Sequence, residues 1–136
     1  MINEMKKLAL AALILFNSVS FADEQALRVS PSTLVNDFIA SPEAAQRKYD
    51  AGAFVVQGMA SYIMIGEVGE DGRGESIITF NASKKVRVTA LMQMKSYEAV
   101  KDLDKSKPVT ITCQDGAALT GKNAITVQFC RVEEQQ

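Results

Sequence analysis

Few residues of this chain could carry out catalysis, because its 136 residues include no histidine. Histidine is the usual general base, metal ligand and pH switch of proteins, so all three roles lose their commonest side chain. The sequence also has no Gly-x-Ser-x-Gly motif and no phosphate-binding glycine loop. Its acidic residues fall in predicted loops and tails, where burial cannot tune their pKa. We therefore predict that the protein is not an enzyme and that it requires no cofactor.

Met92 and Met94 are the residues whose spacing most resembles a pair of metal ligands in this sequence. Alternate residues of a strand share a face, so both thioethers could point at one soft cation such as copper. Exported copper chaperones combine such a pair with a histidine and a tryptophan, and this chain has neither. Methionine is also an ordinary core residue. We favour a packing role and keep soft-metal binding as a second alternative.

An acidic, glycine-rich stretch between two apolar runs is another candidate metal site. Calcium takes about six to eight oxygen ligands from flexible loops, and carboxylates can supply them. The spacing of an EF-hand is absent, however, and acidic hairpin loops ordinarily serve solubility. We therefore assign no metal to its carboxylates, which are Glu67, Glu70, Asp71 and Glu75.

Residues 1–22 have the pattern of a secretory signal peptide. Two lysines precede an apolar run from Leu8 to Phe16, and Ser20 and Ala22 are the small residues of a cleavage site. The run has nine residues, whereas a bilayer-spanning helix needs about 20. We expect cleavage after Ala22, a mature chain without a membrane span, and a periplasmic or secreted location.

The two cysteines, Cys113 and Cys130, are predicted to form a disulfide, because an even cysteine count in an exported chain favours oxidation. The midpoint between them falls in the segment 120–123, Thr-Gly-Lys-Asn, which is a plausible tight turn. Strands paired about that turn would place the two cysteines opposite each other. Gly116 indicates a bulge that could shift the register by one residue.

The mature chain carries no charge excess that would attract nucleic acid. Loss of Lys6, Lys7 and Glu4 with the signal leaves 13 basic and 15 acidic residues, a formal charge of −2. A balance of this kind exerts no general pull on phosphate backbones or on anionic membranes. We therefore do not expect nucleic acid as a partner.

The mature sequence predicts a helical segment followed by five strands. Ser-Pro pairs at 30–31 and 41–42 are typical helix starts, and they predict two short helices that end before Gly52. Residues rich in β-formers follow, and their spacing predicts a helix between the third strand and the fourth. The predicted strands are 54–65 with a bend at Gly58, then 76–80, 84–92, 109–113 and 124–132.

This order of elements is that of the OB-fold, a five-stranded Greek-key barrel. The chain resembles the tRNA-anti-like OB-fold proteins, small exported bacterial domains mostly of unknown function. The resemblance covers most of residues 32–132 and rests on Lys48-Tyr49, on 55–58 (Val-Val-Gln-Gly), and on 109–113 paired with 127–130. We predict a mainly β fold with helices, with 23–30 a flexible N-terminus, 31–132 a single OB-fold domain and 133–136 a polar tail.

The second and third strands form the face on which OB-folds bind oligonucleotides or sugars. Oligonucleotide binding normally adds stacked aromatic rings to a basic stripe. The only aromatic residue of this strand pair is Phe80, and its apolar neighbours indicate that its side chain points into the core. The candidate face consists of Thr79, Lys84, Lys85, Arg87 and Thr89.

These observations favour an exported binding domain whose partner is an envelope protein or a small ligand. The alternative is a domain that binds single-stranded oligonucleotides through the candidate face, and soft-metal binding is the second alternative. The fold by itself does not assign the ligand.

Overall fold

The computed structural model describes residues 26–82, 85–121, 123–133 and 135, which form a mainly β structure with helices. The predicted signal segment lies outside this range. The helices are α1 (Pro31–Ala40), α2 (Pro42–Asp50) and α3 (Tyr97–Lys101), the last preceded by a 3-10 turn at Met94–Ser96. The strands are β1 (Leu27–Val29), β2 (Phe54–Gly58), β3 (Ala60–Val68), β4 (Gly74–Asn81), β5 (Arg87–Met92), β6 (Val109–Cys113), β7 (Ala117–Leu119) and β8 (Ala124–Val132).

The eight strands belong to one mixed sheet. Its order is β1-β2-β6-β8-β5-β4-β3, with β7 paired to β8 beside this path. The pairs β1–β2 and β5–β8 are parallel, and the other pairs are antiparallel. The predicted barrel of exactly five strands is not confirmed by this pairing, although each predicted strand corresponds to a strand of the sheet.

Local backbone features explain why the sheet has more strands than predicted. The long first strand is interrupted at Met59, directly after the predicted bend at Gly58, so it appears as β2 and β3. Only glycine fits at position 58, since a Cβ there would lie 2.7 Å from the Cδ of Pro31. The last hairpin contains an additional short strand, because residues 117–119, for which no strand was predicted, pair with β8 beyond the gap at 114–116.

Described residues on both sides of the predicted domain 31–132 make contacts with it. Residues 27–29, predicted as part of a flexible N-terminus, pair in parallel with the edge of β2 and place Val29 in the core. The predicted polar tail also makes specific contacts. Glu133 donates its backbone N–H to the carbonyl of Thr110 at 2.8 Å, and the side chain of Gln135 bonds to both backbone groups of Asp104.

The two predicted helices begin where the Ser-Pro pairs placed them. The Ser30 hydroxyl accepts the Thr33 N–H at 3.1 Å, and the Ser41 hydroxyl accepts the Ala44 N–H at 3.3 Å. Each proline occupies the first turn, where its missing N–H has no cost. The serine side chains therefore satisfy the backbone donors that a helix N-terminus leaves free.

Three aromatic rings attach these helices to the sheet. Phe38 of α1 stacks on Tyr49 of α2 with 5.9 Å between ring centroids, and Tyr49 meets Phe54 of β2 edge-on at 5.0 Å. All three side chains are buried. Aromatic pairs of this geometry contribute about 0.5–1.5 kcal/mol each beyond their buried area.

The hydroxyl of Tyr49 is the polar exception in this cluster. It donates to a carboxylate oxygen of Asp37 at 2.5 Å, and Lys48 donates to the same oxygen at 2.9 Å. The hydrogen bond from Tyr49 is the main reason that the pKa of Asp37 lies below its usual value. Burial and the neighbouring carboxylate raise the pKa of Tyr49.

We expect Tyr49→Phe to lower the free energy of unfolding by about 1.5–3 kcal/mol at neutral pH, the usual contribution of a hydrogen bond to a charged group. A carboxylate with a depressed folded pKa stabilises the fold above its unfolded pKa, and this stability is lost as pH falls through the folded value. The difference in the free energy of unfolding between wild type and Tyr49→Phe should therefore become smaller as Asp37 becomes protonated. Urea denaturation between pH 7 and about pH 2.5 measures this difference. Asp37→Asn is the matched control, and a difference that stays constant with pH would contradict this account.

Candidate binding face and the disulfide hairpin

The predicted disulfide between Cys113 and Cys130 is present and joins β6 to β8. The two residues are direct partners in the antiparallel ladder, with 4.0 Å between their Cα atoms. Both are fully buried within the core cluster. Disulfides persist in oxidising compartments, so this bond agrees with folding outside the cytoplasm.

The bulge indicated by Gly116 is also present, and it brings the cysteines into register. Near the turn, β7 and β8 pair Ala117 with Val127. Continued without interruption, this register would place Cys113 opposite Arg131. A shift of one residue opposes the cysteines instead, and the backbone absorbs it at Gly116 (φ 78°) and Phe129 (φ 56°).

The candidate face is assembled by direct cross-strand pairing. Thr79 of β4 lies opposite Thr89 of β5, and both side chains are half-buried. Thr89 in turn lies beside Thr126 of β8. Paired residues of neighbouring strands point to the same side of a sheet, so the three threonines form one row. Arg87 is exposed at the start of β5 and Lys85 is exposed just before it, whereas Lys84 lies outside the described residues.

Tyr62 extends this threonine row and was missed by the sequence analysis. It is the partner of Thr79 in the β3–β4 ladder, so its ring stands on the same face. Its side chain is 57% exposed, which leaves the ring open to a ligand. The pairing partner of Tyr62 depends on the β3–β4 register, and β3 contains an irregularity between Ala60 and Tyr62. Composition and alternation alone do not define that register.

The rows on either side of the threonine row differ in chemistry. One side carries the paired residues Met64, Ile77 and Leu91, which are partly exposed apolar side chains. The other side carries Asn81 paired with Arg87. We call this whole surface the threonine face. It changes from apolar, through hydroxyl and phenol groups, to basic across three rows.

The other candidate groups are not assembled into metal sites. The strand β5 ends at Met92, whose side chain is buried in the core, and Met94 begins the 3-10 turn with 49% of its side chain exposed. The strand alternation that would align the two sulfur atoms therefore stops between them. The four carboxylates of the acidic, glycine-rich stretch are all exposed. Within the described residues, no group of three carboxylate, cysteine or histidine side chains could hold a metal ion.

The described residues contain no helix that is long and apolar enough to cross a membrane. The fold is similar to that of a solved protein from Klebsiella pneumoniae described as a "putative nucleic acid-binding lipoprotein". The TM-score is 0.58 at 20% identity, and the similarity covers 79% of this chain and 92% of that one. At this identity the likeness concerns the fold alone. No protein-family model matches the sequence, and no curated protein matches it.

Proposed function

We propose that the chain is an OB-type domain related to the tRNA-anti-like proteins. β2 and β3 are separated by Met59 alone and act as two halves of one bent strand. One half pairs with β6 and the other with β4, so the bent strand connects the two sides of the sheet. The pairs β4–β5, β5–β8 and β8–β6 complete the circuit of a small barrel. On this view β1 and β7 are additions to the five barrel strands.

We also propose that the domain works outside the cytoplasm, in the periplasm or as a secreted protein. The basic and apolar segment that ends at Ala22 supports export. The buried disulfide supports folding in an oxidising compartment. The protein with the similar fold is described as a lipoprotein, which supports the same assignment.

The function that we propose is non-enzymatic binding of an envelope ligand or partner through the threonine face. The observation that carries this proposal is the in-register row of Tyr62, Thr79 and Thr89. An exposed aromatic ring beside a row of hydroxyl groups suits a ligand that has both an apolar surface and hydrogen-bonding groups. Saccharides and peptides of the envelope have this chemistry, and OB-folds bind oligosaccharides on the corresponding face.

Single-stranded nucleic acid is the second candidate ligand, and the position of Tyr62 is the observation in its favour. A base could stack on this ring while Arg87 contacts a phosphate. The description of the Klebsiella protein agrees with such a role. The mature charge of −2 opposes it. In sequence, the stretch 84–87 supplies only three basic residues, Lys84, Lys85 and Arg87, which would neutralise about three phosphates.

We expect short single-stranded DNA and RNA to bind weakly at about 150 mM salt, with a salt slope no steeper than about −2. Soluble peptidoglycan fragments, which combine sugar and peptide groups, should instead shift the amide NMR signals of Tyr62, Thr79 and Thr89. Tyr62→Ala should abolish these shifts, because it removes the ring and leaves the hydroxyl row in place. Fluorescence anisotropy for the oligonucleotides and NMR titration for the fragments make the comparison.

Lys105→Gln with Lys107→Gln provides the control, since both lysines are exposed and lie outside the face. Micromolar or tighter oligonucleotide binding that disappears in Lys85→Ala with Arg87→Ala would overturn the leading proposal and establish the second candidate. Fragment binding that is unaffected by Tyr62→Ala would exclude the threonine face as the site.

A further inference from the structure

A concave surface lies at the other end of β5 from Arg87. It is a cleft of about 450 Å³ between the β3–β4 loop, the 3-10 turn and the hairpin bulge. Gln93, which lines the cleft, is six residues beyond Arg87, so at about 3.3 Å per residue the two residues lie at most roughly 20 Å apart. Its principal lining residues are Arg73, Gln93, Lys95, Gln114, Phe129 and Arg131.

The conformation of Phe129 is the most unusual feature of the cleft. Its φ of 56° is in the left-handed region, and it is the only non-glycine residue with a positive φ in the described part of the chain. A large aromatic residue rarely adopts this conformation. The residue is also 56% exposed, so burial in the core does not compensate for the strain. Strain of this kind concentrates at functional sites, and here it holds an aromatic ring at the wall of the cleft.

The charged residues that line the cleft are all basic. Arg73, Lys95 and Arg131 all line it. Glu133 lies 3.4 Å from the Nε of Arg131 and also accepts the Thr112 hydroxyl, so it orients this guanidinium and partly neutralises it. Arg73 and Lys95 have no ion-pair partner among the described residues. Two cations therefore remain available to an anionic group.

The amide of Gln93 adds a polar group at the same place. Its side-chain oxygen is buried and has no hydrogen-bond partner among the described residues. A buried acceptor without a partner is costly, and a donor on a ligand would satisfy it. The backbone of Gln93 is fixed, since its N–H donates to the carbonyl of Cys130 at 2.8 Å. The disulfide and this bond hold the bulge against the end of β5.

We infer that this cleft binds a small anion, a phosphate or a carboxylate, that is joined to a flat apolar group bearing an N–H or O–H donor. Arg73 and Lys95 contact the anionic group, and the ring of Phe129 stacks on the flat group. The exposed thioether of Met94 lines the same cleft and extends its apolar wall. The oxygen of Gln93 accepts the donor. None of the residues that line this cleft belongs to the threonine face, although the cleft begins just beyond the apolar row of that face at Leu91. The inference goes beyond the function proposed for the face.

The test uses two pairs of probes that differ in charge. Adenosine 5′-monophosphate is compared with adenosine, and N-acetylphenylalanine with its uncharged amide, by NMR titration of the whole mature chain. At least one anionic probe should shift the signals of Gln93, Gln114 and Phe129 and bind at least tenfold more tightly than its uncharged counterpart. A response to the nucleotide alone defines a phosphate site, and a response to the amino acid alone defines a carboxylate site.

Phe129→Gly separates binding from folding, because glycine adopts a positive φ without strain. This variant should keep or raise the melting temperature and should lower the affinity for the responding probe at least tenfold. Arg73→Gln with Lys95→Gln should lower this affinity to a similar extent. Lys105→Gln with Lys107→Gln should leave the affinity within twofold of the wild-type value. Should Phe129→Gly fail to fold, Phe129→Asn replaces it, since asparagine also tolerates this region. Equal binding of charged and uncharged probes, or unchanged binding in the folded variants, would overturn the inference.

Discussion

Phe54→Ala should lower the free energy of unfolding by about 3–5 kcal/mol, the largest effect that we expect from one side chain. Phe54 is fully buried and lies where the helices, β2 and β6 meet. Its ring packs edge-on against Tyr49 at 5.0 Å, and its backbone pairs with Cys113. Truncation would remove the transfer free energy of the ring and leave a cavity that the close-packed surroundings fill only in part. Urea denaturation of both proteins measures the difference.

Tyr62→Ala is the matched control for this substitution. It also removes an aromatic ring from a strand, but that ring is 57% exposed on the threonine face. We expect it to change stability by no more than about 0.5 kcal/mol, as is usual for surface positions. Phe54→Leu should recover most of the loss, because it refills much of the cavity. If Phe54→Ala and Tyr62→Ala lowered the free energy of unfolding equally, this would contradict the assignment of Phe54 to the core and Tyr62 to the surface.

Reduction of the disulfide should lower the free energy of unfolding by about 3 kcal/mol. The bond joins residues 17 apart, and the chain-entropy model assigns this value to a loop of that size. Both sulfur atoms are buried, so reduction should require partial opening and should be slow in the folded protein. Denaturation with and without a reductant measures the effect.

The double variant Cys113→Ala with Cys130→Ala controls for the reductant itself, which should not alter the stability of that variant. Reduction should also loosen the bulge at Phe129, because Cys130 is the next residue and carries the backbone bond to Gln93. Stability that is unchanged by reduction in the wild-type chain would contradict a structural role for the bond.

Local sequence features were sufficient to predict most elements of the fold. The strands 109–113 and 124–132 match β6 and β8, and both helix starts coincide with the Ser-Pro pairs. These signals act over a few residues, since a serine cap, a proline in the first turn and an alternating apolar pattern are local. The pairing of β1 with β2 was not predicted, because a three-residue strand at an edge has too little pattern to distinguish it from a flexible end.

The candidate site was predicted less completely than the elements. Thr79 and Thr89 were found by alternation, whereas Tyr62 and Thr126 were missed because they belong to other strands. The prediction treated Met92 and Met94 as strand neighbours, and the strand ends between them. The cleft was not predicted at all, since its lining residues come from four separate segments.

The sequence by itself determined most strands and helices of this protein and the pairing of its two cysteines. The tertiary structure alone decided which side chains share a surface. A strand has a side-chain period of two, so a shift of one residue between neighbours exchanges the buried and exposed faces. The bulge at Gly116 and Phe129 is such a shift, and it both aligns the disulfide and turns Phe129 outward. Long-range register of this kind depends on packing throughout the sheet, which no local pattern specifies.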